Sequence, residues 1–190
     1  MSFQAGKPYL FLLALALMTA WLAKLAGLDQ IFVTVTPPGH SADYFSTGYS
    51  KFEMDKSGRL DSKLTADKMV HYSDDQLTHL ENPVMFFYNE NTPPWEVKSE
   101  SGILSADGND LALNGKVSAY RPQAANANEM AINTRNAKVK IDANLAESSE
   151  WTELLSKGNR TTGKGMKLLF SQPVHIELLA DVRGKYDTKE

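Results

Sequence analysis

From about Asp43 to the end of the chain, the apolar residues recur at every second position and almost nowhere at helical spacing. Trp95 and Val97 alternate with Glu96 and Lys98; Ala137, Val139 and Ile141 alternate with Lys138, Lys140 and Asp142. Val174, Ile176 and Leu178 alternate with His175 and Glu177. A period of two belongs to a strand, whose successive side chains leave opposite faces of a sheet. Polar turn clusters interrupt the alternation about every ten residues: Asp55-Lys56-Ser57-Gly58, Ser73-Asp74-Asp75, Asp107-Gly108-Asn109-Asp110 and Asn114-Gly115. Many short strands joined by tight turns predict an all-β domain. Only Glu147–Lys157, ESSEWTELLSK, has the composition of a helical turn or two.

Three stretches share one form: LENPVMFFY (Leu80–Tyr88), LNGKVSAY (Leu113–Tyr120) and FSQPVHIEL (Phe170–Leu178). Each is an apolar residue, a short polar turn, and a valine opening a strand. Met69-Val70, Ile103-Leu104 and Lys138-Val139 follow one another at similar intervals and are read as strand starts. The pattern predicts stacked hairpins in an elongated sheet pair, with Val84, Val117 and Val174 pointing inward. In Val84-Met85-Phe86-Phe87-Tyr88 and in Met166–Phe170 both strand faces are apolar. Two readings stay open: an ordinary sandwich core, or a sheet pair that leaves an apolar slot for a lipid.

The chain begins differently. Pro8–Leu28, PYLFLLALALMTAWLAKLAGL, is almost uninterrupted apolar sequence. As a helix, about 20 residues rise roughly 30 Å, the thickness of a bilayer core. Ala20, Ala23 and Ala26 stand three apart, so a small-x-small cleavage site is missing and an uncleaved anchor is expected. The expected organisation is a cytoplasmic tail (residues 1–7), a transmembrane helix (8–28), a Pro-Pro-Gly linker (29–42) and an exported domain (43–190).

Composition excludes several functions. The net charge is −3, with 20 basic and 23 acidic residues interspersed, which is unlike a nucleic-acid surface. With no cysteine, disulfides, thiolate metal sites and thiol nucleophiles are absent. His71 and His79 flank Ser73-Asp74-Asp75-Gln76, but neither they nor His40 and His175 have a third ligand marked out by spacing. Gly158–Gly165, GNRTTGKG, falls short of a phosphate loop, because Gly165 replaces the Mg²⁺-binding hydroxyl and a strand pattern follows. That segment reads as a flexible loop. No catalytic motif appears, so neither an enzyme nor a cofactor is expected.

The apolar segment and its Pro-containing linker precede Tyr72-Ser73-Asp74, Asn82-Pro83-Val84, Pro94-Trp95-x-Val97-Lys98 and Leu113-x-Gly115-x-Val117. In that order they resemble the LptC family of lipopolysaccharide export proteins. The resemblance implies a twisted antiparallel β-jellyroll in the periplasm, tethered to the inner membrane. It further implies partnership with the permease subunits of an ATP-driven transporter, from which lipopolysaccharide passes to a periplasmic bridge protein of similar fold. Gly58 and Gly158 fall where the family has glycines important to assembly or stability, and Leu80 and Ile176 where its inner surface meets lipid. The expected groove is Leu80, Val84, Phe86, Leu113, Val117, Ile132, Val139, Val174 and Ile176. The last strand, Val174–Val182, is expected to pair by its edge with the partner jellyroll. Arg160–Gly165 departs from the family by being more basic and Gly-rich. The alternative is an envelope scaffold that binds proteins but no lipid.

Overall fold

The structure, a computed structural model, describes residues 7–26 and 41–186. The tail up to residue 6, most of the expected linker with His40, and the apolar run beyond Ala26 lie outside the described residues. The chain divides into two units, Met1–Gly39 and His40–Glu190.

The first unit carries α1, Lys7–Leu25, a 19-residue helix. Leucine and alanine are strong helix formers and dominate it. Leucines, Phe11, Met18 and Trp21 are exposed around it. Among the described residues no helix is long and apolar enough to cross a membrane.

The second unit is one antiparallel sheet of ten strands. They are β1 (Ala42–Met54), β2 (Leu60–Tyr72), β3 (Thr78–Glu81), β4 (Val84–Asn89), β5 (Thr92–Leu104), β6 (Asp110–Arg121), β7 (Met130–Lys140), β8 (Leu145–Ser156), β9 (Asn159–Leu169) and β10 (His175–Lys185). Spatial order follows chain order, and β3 and β4 together fill the single lane between β2 and β5. Two sequence expectations fail here. Glu147–Lys157 forms no helical turn: its residues up to Ser156 lie in β8, bonded to β7 on one side and β9 on the other. Two ladders outweigh a weak helical propensity. The Gly158–Gly165 stretch is no flexible loop but a two-residue turn, Lys157-Gly158, leading straight into β9. Both turn residues have positive φ, which suits the right-handed twist of a hairpin.

The backbone shows how one sheet makes two layers. Twelve described residues have positive φ, and they fall into two groups. Gly58, Gln76, Gly108, Asn144, Lys157 and Gly158 occupy hairpin turns. Gly48, Asn82, Gly115, Asn136, Gly165 and Asp181 lie within or between paired strand segments, one each in β1, the β3–β4 lane, β6, β7, β9 and β10. Register breaks accompany several of them, between Leu113 and Lys116, between Asn133 and Ala137, and between Ala180 and Arg183. A bulge bends its strand and sharpens the local twist. A row of such bends across the sheet folds it over on itself.

The sequence motif is thereby reinterpreted. Asn82-Pro83 and Asn114-Gly115 are not turns that deliver new strands; they are mid-strand bends. Asn82 N–H still donates to the Glu100 carbonyl, and Ser99 N–H to that of Pro83, so the ladder carries on past the bend. Of the three stretches, only Ser171-Gln172-Pro173 joins two strands. Met69-Val70, Ile103-Leu104 and Lys138-Val139 come late in β2, β5 and β7, where strands end rather than begin.

One half-sheet holds the strand ends beside the Asp55–Gly58 turn; the other holds the ends beside the Ser73–Gln76 turn. Contacts between strands far apart in the ladder show the halves facing each other. The Phe87 and Phe170 rings stack with centroids 4.2 Å apart, and Trp95 meets Phe170 edge-on at 5.7 Å. Asn89 Nδ2 donates to the Phe170 carbonyl at 3.0 Å, and Lys51 Nζ donates to the Gly108 carbonyl. Leu64, Met85, Trp95, Leu111, Ile132, Ile141 and Leu168 fill the space between.

The bends also shift which residues face inward. In β5, Trp95 and Val97 are buried before the register break at Ser99–Ser101, and Gly102 and Leu104 after it. In the β3–β4 lane the change from even to odd falls at Asn82-Pro83, so Leu80 is succeeded in the core by Met85 and Phe87. Val84 and Phe86, expected inward, are therefore only half-buried and lie outside the core cluster. One inserted residue in a bulge turns every later side chain to the other face.

Candidate functional site: an inner face open at both ends

Register relations align the inward residues into rows that cross the whole sheet. One row runs Tyr44, His71, Thr78, Leu104, Leu111, Val139, Ala146, Leu168 and Ile176. In the opposite half-sheet a second row runs from Lys51 through Leu64, Val97 and Ile132 to Leu154 and Thr161. Both rows are fully buried in the middle and emerge at the ends. Tyr44 is exposed and His71 half-buried at one end; Leu154 and Ile176 are half-buried at the other.

This pattern comes from stagger. Hairpin β4–β5 of one half-sheet lies over the end of β9 in the other, so the halves overlap in the middle and each overhangs at one end. The middle is densely packed: the space among Leu64, Met85 and Ile141 has no room for a water molecule. The ends keep apolar surface available, with Met69 at one and Met130, Leu154, Ile176 and Leu178 at the other, all half-buried against the core.

The expected groove residues divide accordingly. Leu80, Leu113, Val117, Ile132 and Val139 are fully buried. Val174 and Ile176 are half-buried and packed on the core. The structure places Leu80 and Leu113 in one row, through Gly102, and Val139 and Ile176 in the next. Val84 and Phe86 stand apart. Met85, Phe87 and Phe170 are inner-face residues that the alternation did not single out; the run of apolar residues on both faces was the only signal for them.

Among the described residues both outer edges of the sheet are unpaired, β1 at one end and β10 at the other. Phe45 and Phe52 are exposed on β1, and Leu179 and Val182 on β10. An unpaired strand with apolar side chains is a template for another strand.

The turn containing Gly58 is held by charge. The Asp55 carboxylate accepts from the Ser57 amide (2.8 Å), the Ser57 hydroxyl (2.6 Å) and the Arg59 amide (3.0 Å), while the Arg59 guanidinium bridges Asp55 and Glu90. These bonds, led by the Ser57 hydroxyl, hold the Asp55 carboxyl well below the usual carboxylate range. A group whose pKa is depressed on folding stabilises the fold at neutral pH, and that contribution is lost as pH falls through the folded value. The β1–β2 turn therefore keeps its protection through mildly acidic pH and loosens only in strong acid. In Asp55→Asn the turn amides exchange faster at every pH above that. Amide hydrogen exchange at Ser57 and Arg59 against pH checks this.

His71 Nδ1 lies 3.0 Å from the Thr78 hydroxyl, and its ring stacks on Tyr44 with centroids 4.6 Å apart. His79 meets Tyr72 edge-on. Both histidines serve aromatic packing at the β1–β3 end. Among the described residues no group of three metal-ligating side chains comes together.

Comparison with known proteins places this geometry. The fold is similar to the crystal structure of LptH, the LptA homologous periplasmic component of the conserved lipopolysaccharide transport device from Pseudomonas aeruginosa. The TM-score is 0.51 at 8% identity, over 66% of this chain and 94% of that one, a likeness of fold alone. No curated protein matches the chain. The family model described as "Lipopolysaccharide-assembly, LptC-related" matches residues 9–187, helix and sheet together. The chain belongs to the LptC family.

Proposed function

We propose that this chain is a membrane-anchored lipid-transfer module that takes lipopolysaccharide from an inner-membrane ATP-driven transporter and passes it to a periplasmic bridge protein. Its family works in lipopolysaccharide transport and is not enzymatic. The observation that carries the reading is the inner face, apolar along its buried middle and, among the described residues, uncovered at both ends, each bounded by an edge strand without a partner there. Burying an acyl CH₂ is worth about 0.8 kcal/mol, so a chain of twelve to fourteen carbons approaches roughly 10 kcal/mol. A transfer protein must replace that burial at every step, and an apolar face continued from one jellyroll into the next does so. Edge pairing through β10 aligns the two faces by main-chain hydrogen bonds. The anchor rests on the sequence run Pro8–Leu28, which extends past the C-terminal end of the described helix. Energy for loading comes from the transporter.

A photoreactive residue at Met69 or Ile176 is expected to form lipopolysaccharide adducts in membranes supplied with the transporter and ATP, while one at exposed Glu177 forms none. Absence of adducts at both inner positions would sink the reading. The filled middle favours the scaffold alternative, which predicts that outcome.

A further inference from the structure

We propose that the connection Phe170–Val174 is a gate, a strap that closes the seam between the half-sheets and opens to admit acyl chains to the packed middle. This rests on the lipid-transfer reading above. The ends of the inner face are uncovered and the middle is full, so a chain crossing from end to end needs a side chain to leave. The three large aromatic side chains at the seam are Phe87, Trp95 and Phe170, each almost completely buried. Phe87 and Trp95 sit in β4 and β5, each paired on both sides. Phe170 follows β9 and belongs to no strand.

Its ring is held by packing on Phe87 and Trp95, and its backbone only by hydrogen bonds that water can replace. Its amide donates to the Asn144 carbonyl at 2.8 Å, and its carbonyl accepts from Asn89 Nδ2 at 3.0 Å. Two residues on, Gln172 Nε2 donates to the Thr92 hydroxyl at 3.1 Å, tying the strap to the tip of hairpin β4–β5. Beyond the strap lies β10, an edge strand paired only with β9 and already irregular between Ala180 and Arg183. Withdrawing Phe170 therefore uncovers Phe87 and Trp95 without parting the ladders that hold them.

The test locks the strap in the full-length chain, using Thr92→Cys with Gln172→Cys. The sequence has no cysteine of its own, so a short bis-methanethiosulfonate linker joins only these two positions, and reductant removes it. Lipopolysaccharide adducts are read in transporter membranes with ATP, from a photoreactive residue at buried Ile132 and, separately, at Met69 on the open end. Bridging is expected to cut Ile132 adducts by about tenfold or more, the ratio set by roughly 1.4 kcal/mol, and to leave Met69 adducts unchanged. Reductant restores the Ile132 signal. Ile132 adducts at the unbridged level in the bridged protein overturn the gate and leave the transfer reading standing. No adducts at either position in the reduced protein overturn the transfer reading, and the gate with it.

Discussion

Replacing Trp95 with alanine is expected to destabilise the β-domain by about 3–5 kcal/mol, the range for removing a large aromatic side chain from a core. Trp95 is completely buried. It stands in the row formed with Phe87 and Ser62, meets Phe170 edge-on, and carries the Arg121 guanidinium 4.9 Å from its ring centroid. Arg121 makes the loss larger. It is buried, burial pushes its pKa down, and its guanidinium donates to the Asn128 carbonyl at 3.3 Å. Without the indole face, a buried cation loses its main favourable neighbour. Trp95→Phe keeps an aromatic face and should cost less than the alanine variant. Urea denaturation followed by circular dichroism measures both. An alanine variant as stable as the parent would mean that the two half-sheets are not packed through this residue.

Ile176→Arg is expected to leave the domain folded and to stop lipid transfer. Ile176 ends a core row but is only half-buried, on an edge strand, so a longer side chain can reach solvent while its stem stays on the core. The stability cost should be about 1 kcal/mol, the centre of the range for point substitutions. The effect on transfer is of another order. A passing acyl chain must push that hydrated guanidinium aside or bury it unpaired, at a cost of several kcal/mol, and about 1.4 kcal/mol is tenfold in an equilibrium. Lipopolysaccharide delivered to the partner jellyroll should fall at least about tenfold. The denaturation midpoint and the transfer assay are read on the same preparation. A folded Ile176→Arg protein that transfers at the parent rate removes Ile176 from the path. An unfolded one makes Ile176 a core residue, as the scaffold reading requires.

Sequence reasoning reached the fold class because a period of two and regular turn clusters leave little else for residues 43–190 to become. Alternation at Ala137, Val139 and Ile141 held because that run lies within one side of its bend, where each second residue must face the same way. The order of short motifs pointed to the family although no single motif was specific. At Val84 and Phe86 the same reasoning failed. A positive-φ asparagine and a proline in mid-strand read as a turn, since both residue types favour turns, and the ladder bonds that run past them are made by residues almost twenty positions away.

The sequence by itself determined that this chain is a run of strands with an apolar segment before it, and where the hairpins at Asp55–Gly58, Ser73–Gln76 and Asp107–Asp110 close. Side-chain period and turn preference are local properties and need no knowledge of the partner strand. Tertiary structure alone decided that the bends line up into a fold, that this fold staggers two half-sheets, and that the inner face is packed in the middle and open at the ends. Which residue faces inward depends on cross-strand register. Register is fixed by bonds between distant segments, and one bulge reverses it for all that follows.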